Sequence, residues 1–432
     1  MSRIVQQVQI LCAALLALAS QSRAQERPSE LAVPIFTFTS GPAAAYGVPG
    51  RNAAELMIDQ INAKGGIGGV KVRAIFVDEA QGGAGIVSEY RRLAGDRHVQ
   101  LMIAALSSAN CLSLAPVAEE LRTLMLAWNC DTHQLFLKDR YKYVYRSNSS
   151  TIPEFLAYVL YLLEKKPDFK RVAIINPDYA FGRDAAEIVK GALKSFKPDA
   201  EIVTELFPKL GTPNFQTEIS RLIAARPDVI FSNLWGADLE NFTRQALPRG
   251  LFTQSQMVLA LGENLLQRIE IPDGVIIGVL GDGWWRTPTA LADPRTQDFV
   301  KAYRERHGEY PIFPVFKMAN SIQTMQAAYE NLLKKNNNRW PTRDELANAF
   351  AGIEVKTYTG MMKIREDNDG LVDQVIGVSQ KAAGDAPYPM MGDMVRYPAA
   401  QVTPPPLVDP HQWIGGLTPQ LLKELPKPGS YK

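Results

Sequence analysis

The chain has 432 residues, 46% hydrophobic and 21% charged, with Lys+Arg 47 against Asp+Glu 45. This is ordinary globular composition, which excludes disorder, collagen-like repeats and a disulfide-dense miniprotein; at roughly 150 residues per domain the length suggests two or three domains. The net charge of +2 falls to 0 if Arg3 and Arg23 leave with an export leader, so no general field draws the chain to nucleic acid or anionic lipid.

Residues 1–24 read as an export signal. Arg3 supplies the positive start and Ile10 to Ala19 an apolar run, with small residues at Ser22 and Ala24 predicting cleavage before Gln25. The run is too short to span about 30 Å of hydrocarbon, and no later stretch is long and apolar enough to do so. A soluble chain outside the cytoplasm is expected. Cys12 falls inside the leader, which leaves Cys111 and Cys130. An oxidising compartment and an even count favour a disulfide, with two buried free thiols as the alternative.

From Gln25 onward short apolar runs alternate with amphipathic segments. Strands are predicted at Leu31–Phe38, Val70–Val77, Leu101–Ala105 and Thr123–Trp128, with helices over Pro49–Lys64, Ala84–Gly95 and Leu112–Leu121 between them. In the first helix Ala53, Ala54, Met57, Ile58 and Ile61 share one face, and Gly65-Gly66 stops it. The rhythm restarts after Arg146–Ser150. Strands are expected at Arg171–Asn176, Glu201–Phe207, Val229–Ser232, Met257–Ala260 and Val275–Val279, and helices at Pro153–Lys166, Arg183–Phe196, Phe215–Ala225, Leu239–Leu247 and Leu265–Ile269. Helices follow at Asp293–Glu305, Val315–Lys334 and Thr342–Phe350. Two strand-like runs, Gly360–Ile364 and Gln374–Val378, flank a hairpin signal at Glu366–Gly370. From Lys381 the Pro-rich chain reads as an irregular surface arm with a short helix near Pro419–Glu424. The fold class is α/β, with two doubly wound parallel-sheet lobes.

Several glycine-rich stretches look like ligand loops and are not. Lys64–Gly69 follows a helix and precedes a strand, the wrong order for a phosphate-cradling loop, so it is a connector. Gly82-Gly83-Ala84-Gly85 has no Lys-Ser/Thr after it and reads as a flexible turn. Glu366–Gly370 lacks the calcium-loop pattern. The 3 Cys and 4 His argue against a multi-ligand zinc site, and the histidines show no i, i+4 pairing. With no Gly-x-Ser-x-Gly motif either, neither an enzyme nor a cofactor or metal is indicated.

Polar and aromatic residues instead gather after strands: Ser107 and Ser108; Cys130, Asp131 and Thr132; Tyr179 and Phe181; Trp235, Gly236 and Ala237; and Glu263. In open parallel sheets ligands bind where strands end, near helix N-termini that favour anions. Hydroxyls and free amides suit a carboxylate, Glu263 suits an ammonium, and Tyr179, Phe181 and Trp235 would wall an organic side chain.

TSGPAAAYGVPGRNAAELMIDQINAKGGIGG, SSANCLSLAPVAEE, NPDYAFG and FVKAYRERHGEYP together resemble the leucine/isoleucine/valine-type periplasmic binding proteins, solute receptors of ATP-driven importers, from about Leu31 to Val378. The resemblance implies two lobes that close on a ligand. Lobe one would comprise 25–147 plus 282–356, lobe two 148–281 plus 357–380, and the C-terminal arm 381–432, with crossings near Ser147, Gly281 and Thr357. It also implies that Ser107, Ser108, Cys130 and Thr132 hold a carboxylate and that Glu263 pairs an α-ammonium. Phe181 or Tyr179 would form an aromatic wall, Trp235 to Ala237 would bring an aromatic contact, and Tyr46 would sit in the loop at the first lobe's mouth. Trp235, Trp284 and Trp285 are bulky for a small aliphatic ligand, and Asp131 adds negative charge beside a supposed anion site. The expected function is capture of an amino acid or related small carboxylate by a monomer in the periplasm, and its delivery to a membrane permease. Amides, urea, aromatic carboxylates or a sensory role are the alternatives. An exported hydrolase lacks the nucleophile motif it would need.

Overall fold

The computed structural model describes residues 27–431, so the leader expected at 1–24 lies outside the described residues. The chain opens with β1 (Glu30–Thr37), α1 (Ala44–Ala63), β2 (Lys71–Asp78), α2 (Gly82–Ala94), β3 (Leu101–Ile103), α3 (Ser108–Glu120), β4 (Leu124–Ala127) and β5 (Val144–Arg146). These strands form an all-parallel sheet in the order β2-β1-β3-β4-β5. The inner strands β1, β3 and β4 are buried on both faces, as a sheet covered on two sides requires, while the edge strand β2 exposes Lys71 and Arg73. Leu31, Val33 and Ile35 belong to one core cluster, with residues of α1; Ala32 and Phe36 belong to another, with Ile86 and Tyr90 of α2 and Leu114 and Ala118 of α3.

The second half continues with α4 (Thr151–Lys165), β6 (Arg171–Ile175), α5 (Ala180–Phe196), β7 (Glu201–Leu206), α6 (Gln216–Ala225), β8 (Val229–Ser232), α7 (Gly236–Ala246), β9 (Gln256–Leu259) and β10 (Ile276–Gly278). After α8 (Pro294–His307), α9 (Phe313–Lys335) and α10 (Arg343–Phe350) come β11 (Glu354–Lys356), β12 (Met361–Ile364), β13 (Gly370–Leu371), β14 (Gln374–Gln380), β15 (Met390–Tyr397) and the short α11 (Pro410–Gly415). The second sheet is seven-stranded, β15-β14-β10-β9-β8-β6-β7, and β11-β12-β13 form a separate small sheet. Two doubly wound α/β lobes result. Thr342 and Glu345 form the capping box that starts α10.

Four local expectations are corrected. The runs at 360–364 and 374–378 are not partners: β12 pairs with β11 and β13, while β14 joins the second sheet antiparallel to β10. The C-terminal arm is not irregular throughout, because β15 pairs with β14 along the sheet edge. Gly82–Gly85 is the first turn of α2 rather than a flexible turn, held there by burial of Ile86, Tyr90 and Leu93 further along the helix. Finally, α1 starts at Ala44 and not Pro49, so Tyr46 lies in a helix instead of a loop. This early start needs Gly47, where a Cβ would fall 1.9 Å from the Phe38 carbonyl oxygen.

Cys111 on α3 and Cys130 after β4 form a disulfide with Cα atoms 6.0 Å apart. Closing a loop between residues 19 apart in sequence stabilises by about 3 kcal/mol in the chain-entropy account. Replacing both cysteines by serine is expected to lower unfolding free energy by about that amount, read as an earlier urea midpoint. Among the described residues no helix is long and apolar enough to cross a membrane.

Candidate functional site

In both sheets the strand order reverses once, between β1 and β3 in the first and between β6 and β8 in the second. Connections leaving such a point diverge to opposite faces and open a crevice at the strand ends. The two crevices face each other. Tyr46, Leu106, Ser108, Asn129, Asp131, Tyr179, Phe181, Trp235, Leu261 and Phe313 line one cavity of about 20 Å³ between the lobes, about the room of one water. Five of its ten lining residues are aromatic. Tyr46 stacks on Trp235 with centroids 5.5 Å apart and meets Phe313 edge-on at 5.1 Å, and Tyr179 lies 6.2 Å from Phe181.

Six of the expected residues therefore share one cavity: Tyr46, Ser108, Asp131, Tyr179, Phe181 and Trp235. The other six lie beside it. The Ser107 N–H donates to Glu79 Oε2 at 3.3 Å, and the Leu106 N–H donates to Oε1 at 2.7 Å. Glu79 thus takes up amides at the start of α3, and burial pushes its carboxyl up to about 7. The sequence reading missed Glu79, although its place just after β2 carried the same strand-end signal. Cys130 is bound in the disulfide. Its carbonyl and that of Thr132 accept from Arg146 Nη1 at 2.7 Å each, while Arg146 Nε donates to Asp369 at 2.7 Å. The Thr132 N–H donates to Ser108 Oγ at 3.3 Å, and its hydroxyl donates to Asp184 Oδ2 on α5 at 2.5 Å, a bond between the lobes. Gly236 begins α7 at φ +56°, where a Cβ would stand 3.0 Å from the Pro42 carbonyl oxygen of the opposite lobe. Ala237 follows it on α7, outside the lining.

Asp131 does not leave a bare negative charge in the cleft. Lys317 of α9 reaches Asp131 Oδ1 at 2.7 Å and Glu154 Oε1 at 3.3 Å, all three side chains being buried. Burial and then the neighbouring Asp131 charge push the Glu154 carboxyl up to about 8. Nothing at the sequence level pointed to Lys317, which sits on a helix face that otherwise reads as core. Trp284 and Trp285 are not in the cleft lining either. Trp285 stacks on Tyr310 at 4.6 Å and donates to Tyr388 Oη at 2.9 Å, which ties the arm to the body.

Glu263 sits in a 3-10 turn after β9, fully buried; its Oε2 accepts from the Phe313 N–H at 3.4 Å, and its Oε1 has no partner. Burial pushes this carboxyl up to about 8. Tyr46 Oη, Asn129 Oδ1 and Trp235 Nε1 are likewise buried without a partner. Most buried polar groups in a folded chain are paired. Among the described residues such atoms are scattered over both lobes, and four of them, two able to donate and two able to accept, stand at or beside this one space.

A profile of the periplasmic binding protein family matches residues 30–385. Over 343 residues the chain is 28% identical to the Leu/Ile/Val/Thr-binding protein of Salmonella typhimurium, covering 79% of this chain and 88% of that one. Over 245 residues it is 27% identical to the Leu/Ile/Val-binding protein of Escherichia coli K12, covering 56% of this chain and 65% of that one. A solute-binding protein of an ABC transporter from Rhodopseudomonas palustris BisB5, solved with 3,4-dihydroxybenzoic acid, superposes with TM-score 0.74 at 21% identity, over 86% of this chain and 98% of that one. The closed Leu-, Ile-, Val-, Thr- and Ala-binding protein of Brucella ovis superposes with TM-score 0.70 at 20% identity, over 87% and 97%.

Proposed function

The chain belongs to the periplasmic binding protein family, and from that footing we propose that it captures an α-amino acid between its lobes for delivery to the permease of an ABC importer. Four unpartnered polar atoms at and beside the cleft carry this reading. They mix donors, Trp235 Nε1 and Tyr46 Oη, with acceptors, Asn129 Oδ1 and Glu263 Oε1. A zwitterion bearing both an anion and a cation satisfies such a set. Its carboxylate belongs at the Ser108 hydroxyl and the start of α3, where helix amides favour negative charge and Lys317 already cancels Asp131. Its ammonium belongs at Glu263, whose buried carboxylate lacks a cation. The rings of Tyr46, Tyr179, Phe181, Trp235 and Phe313 receive an apolar side chain.

Binding acts by population shift: a ligand that touches both lobes only when they meet favours closure by that difference in contact. Export through the leader at 1–24 places this work in the periplasm. An aromatic carboxylate is the second reading, favoured by the stacked Tyr46–Trp235 pair and by the dihydroxybenzoate seen with the Rhodopseudomonas neighbour.

Calorimetric titration with amino acids, aliphatic amides and aromatic carboxylates tests both. An amino acid is expected to give heat and, at 100 times its Kd, to add about 2.7 kcal/mol to unfolding free energy. Heat from aromatic acids alone would replace the first reading by the second, and folded protein silent to every class would end both. Gly236→Ala is expected to weaken the ligand, since its methyl would stand 3.0 Å from the Pro42 carbonyl oxygen only when the lobes meet, whereas the strain of a left-handed alanine, about 1–2 kcal/mol, bears on both states alike and lowers stability. Unchanged affinity would show that this rim contact plays no part in closure.

A further inference from the structure

We propose that His133, Glu187 and His411 form a binding site for one divalent zinc-class cation that fastens the C-terminal arm across the junction of the two lobes. Only 4 histidines occur in the chain, and composition argued against such a site, yet the fold brings two of them together. One ligand atom from each of the three side chains lies within 4.8 Å of the other two. His411 Nε2 is 3.7 Å from Glu187 Oε2, and the two imidazole rings meet edge-on with centroids 5.5 Å apart. Tetrahedral Zn²⁺ with bonds of about 2.0–2.2 Å sets its ligand atoms about 3.4 Å apart. The exposed side chains of Glu187 and His411 can cover the remaining distance by small rotations, while buried His133 stays fixed.

Three observations favour a metal over a casual surface cluster. The donor set, two imidazoles and a carboxylate, suits borderline divalent cations and leaves a fourth position for water. His133 is oriented as metal-bound histidines commonly are, with Nδ1 3.0 Å from Thr151 Oγ1 and 3.5 Å from the buried Asp184 carboxylate, which leaves Nε2 as the ligand atom. Asp184 is itself held by Thr132 and Gln134, so the support behind His133 is built. The three ligands also come from three separate pieces: His133 follows β4 of the first sheet, Glu187 lies on α5 of the second lobe, and His411 lies on α11 of the arm. The Ser195 hydroxyl of α5 donates to the Ile414 carbonyl at 2.8 Å and seats α11 there without metal. A cation would add a bond between the lobes, and this site does not depend on which solute the cleft takes.

The test is titration of EDTA-dialysed protein with zinc chloride, followed by calorimetry and by metal analysis after gel filtration. One zinc per chain is expected in the wild type. His411→Ala and Glu187→Gln, both changes of exposed side chains, are each expected to lose it, whereas His98→Ala and His307→Ala retain it. Zinc should also slow proteolysis in the segment 404–409, where Leu407 is 71% exposed, and His411→Ala should cancel that protection. A wild type that binds no zinc, or zinc retained equally by His411→Ala and Glu187→Gln, would overturn the proposal.

Discussion

Glu263→Gln is expected to weaken binding of an α-amino acid by at least about a hundredfold while leaving an amine-free carboxylate of the same shape within a few-fold of its wild-type affinity. An ammonium enclosed in the cleft opposite a neutral amide loses its counter-charge, and stranding one member of a buried ion pair costs about 3–5 kcal/mol, where 1.4 kcal/mol is about tenfold. Without ligand the same change should act in the opposite direction. The Glu263 carboxyl is raised from 4.5 to about 8, so the folded chain binds a proton that the unfolded chain releases. Its contribution to stability is complete below the unfolded value and is lost as pH rises through about 8. The amide of the variant has no proton to lose, so its urea midpoints should fall less than those of the wild type between pH 5 and pH 8. Calorimetry with an amino acid and its deaminated analogue reads the first effect. Equal affinity of wild type and variant for the amino acid would remove Glu263 from the ammonium site.

Lys317→Met is expected to destabilise the fold by about 3–5 kcal/mol, because it leaves Asp131 and Glu154 as two unpaired buried carboxylates. The deficit should shrink on acidification. Glu154 already sits near 8 with the cation present; without it this carboxyl takes up a proton more readily, and its neutral form is far less costly to bury. Adding Asp131→Asn and Glu154→Gln to Lys317→Met should recover most of the loss, since removing every charge ends the mismatch. Chemical denaturation at pH 5 and pH 8 separates these outcomes, and a loss below about 1 kcal/mol at pH 8 would mean that water reaches the triad. The triad holds Asp131 of the cavity lining against α4 and α9, so the variant should also bind its solute more weakly.

The site was legible where it follows from topology. Tyr179, Phe181 and Trp235 could be chosen because each stands just past a short apolar run that had to be a strand, and parallel sheets place ligands there. Phe313 was out of reach. It opens α9, some fifty residues after Glu263 in the chain, and only packing sets its ring against Tyr46. The hydrogen-bonding roles of Ser107 and Thr132 were equally hidden. Whether a hydroxyl or an amide faces a ligand or a neighbouring carboxylate depends on side chains such as Glu79 and Asp184, which approach from other elements.

The alternation of strands and helices, the parallel first sheet, the parallel core of the second and the general position of the cleft can all be read along the chain. They follow from short-range apolar periodicity and from the rule that strand ends carry the functional loops. It takes the folded molecule to show that β15 completes the second sheet, that Lys317 neutralises Asp131, that Glu263 is buried without a cation, and that two histidines 278 positions apart meet beside Glu187. Each of these depends on which atoms share a small volume once water is excluded. Contacts between residues so far apart in the chain leave no periodic trace to read.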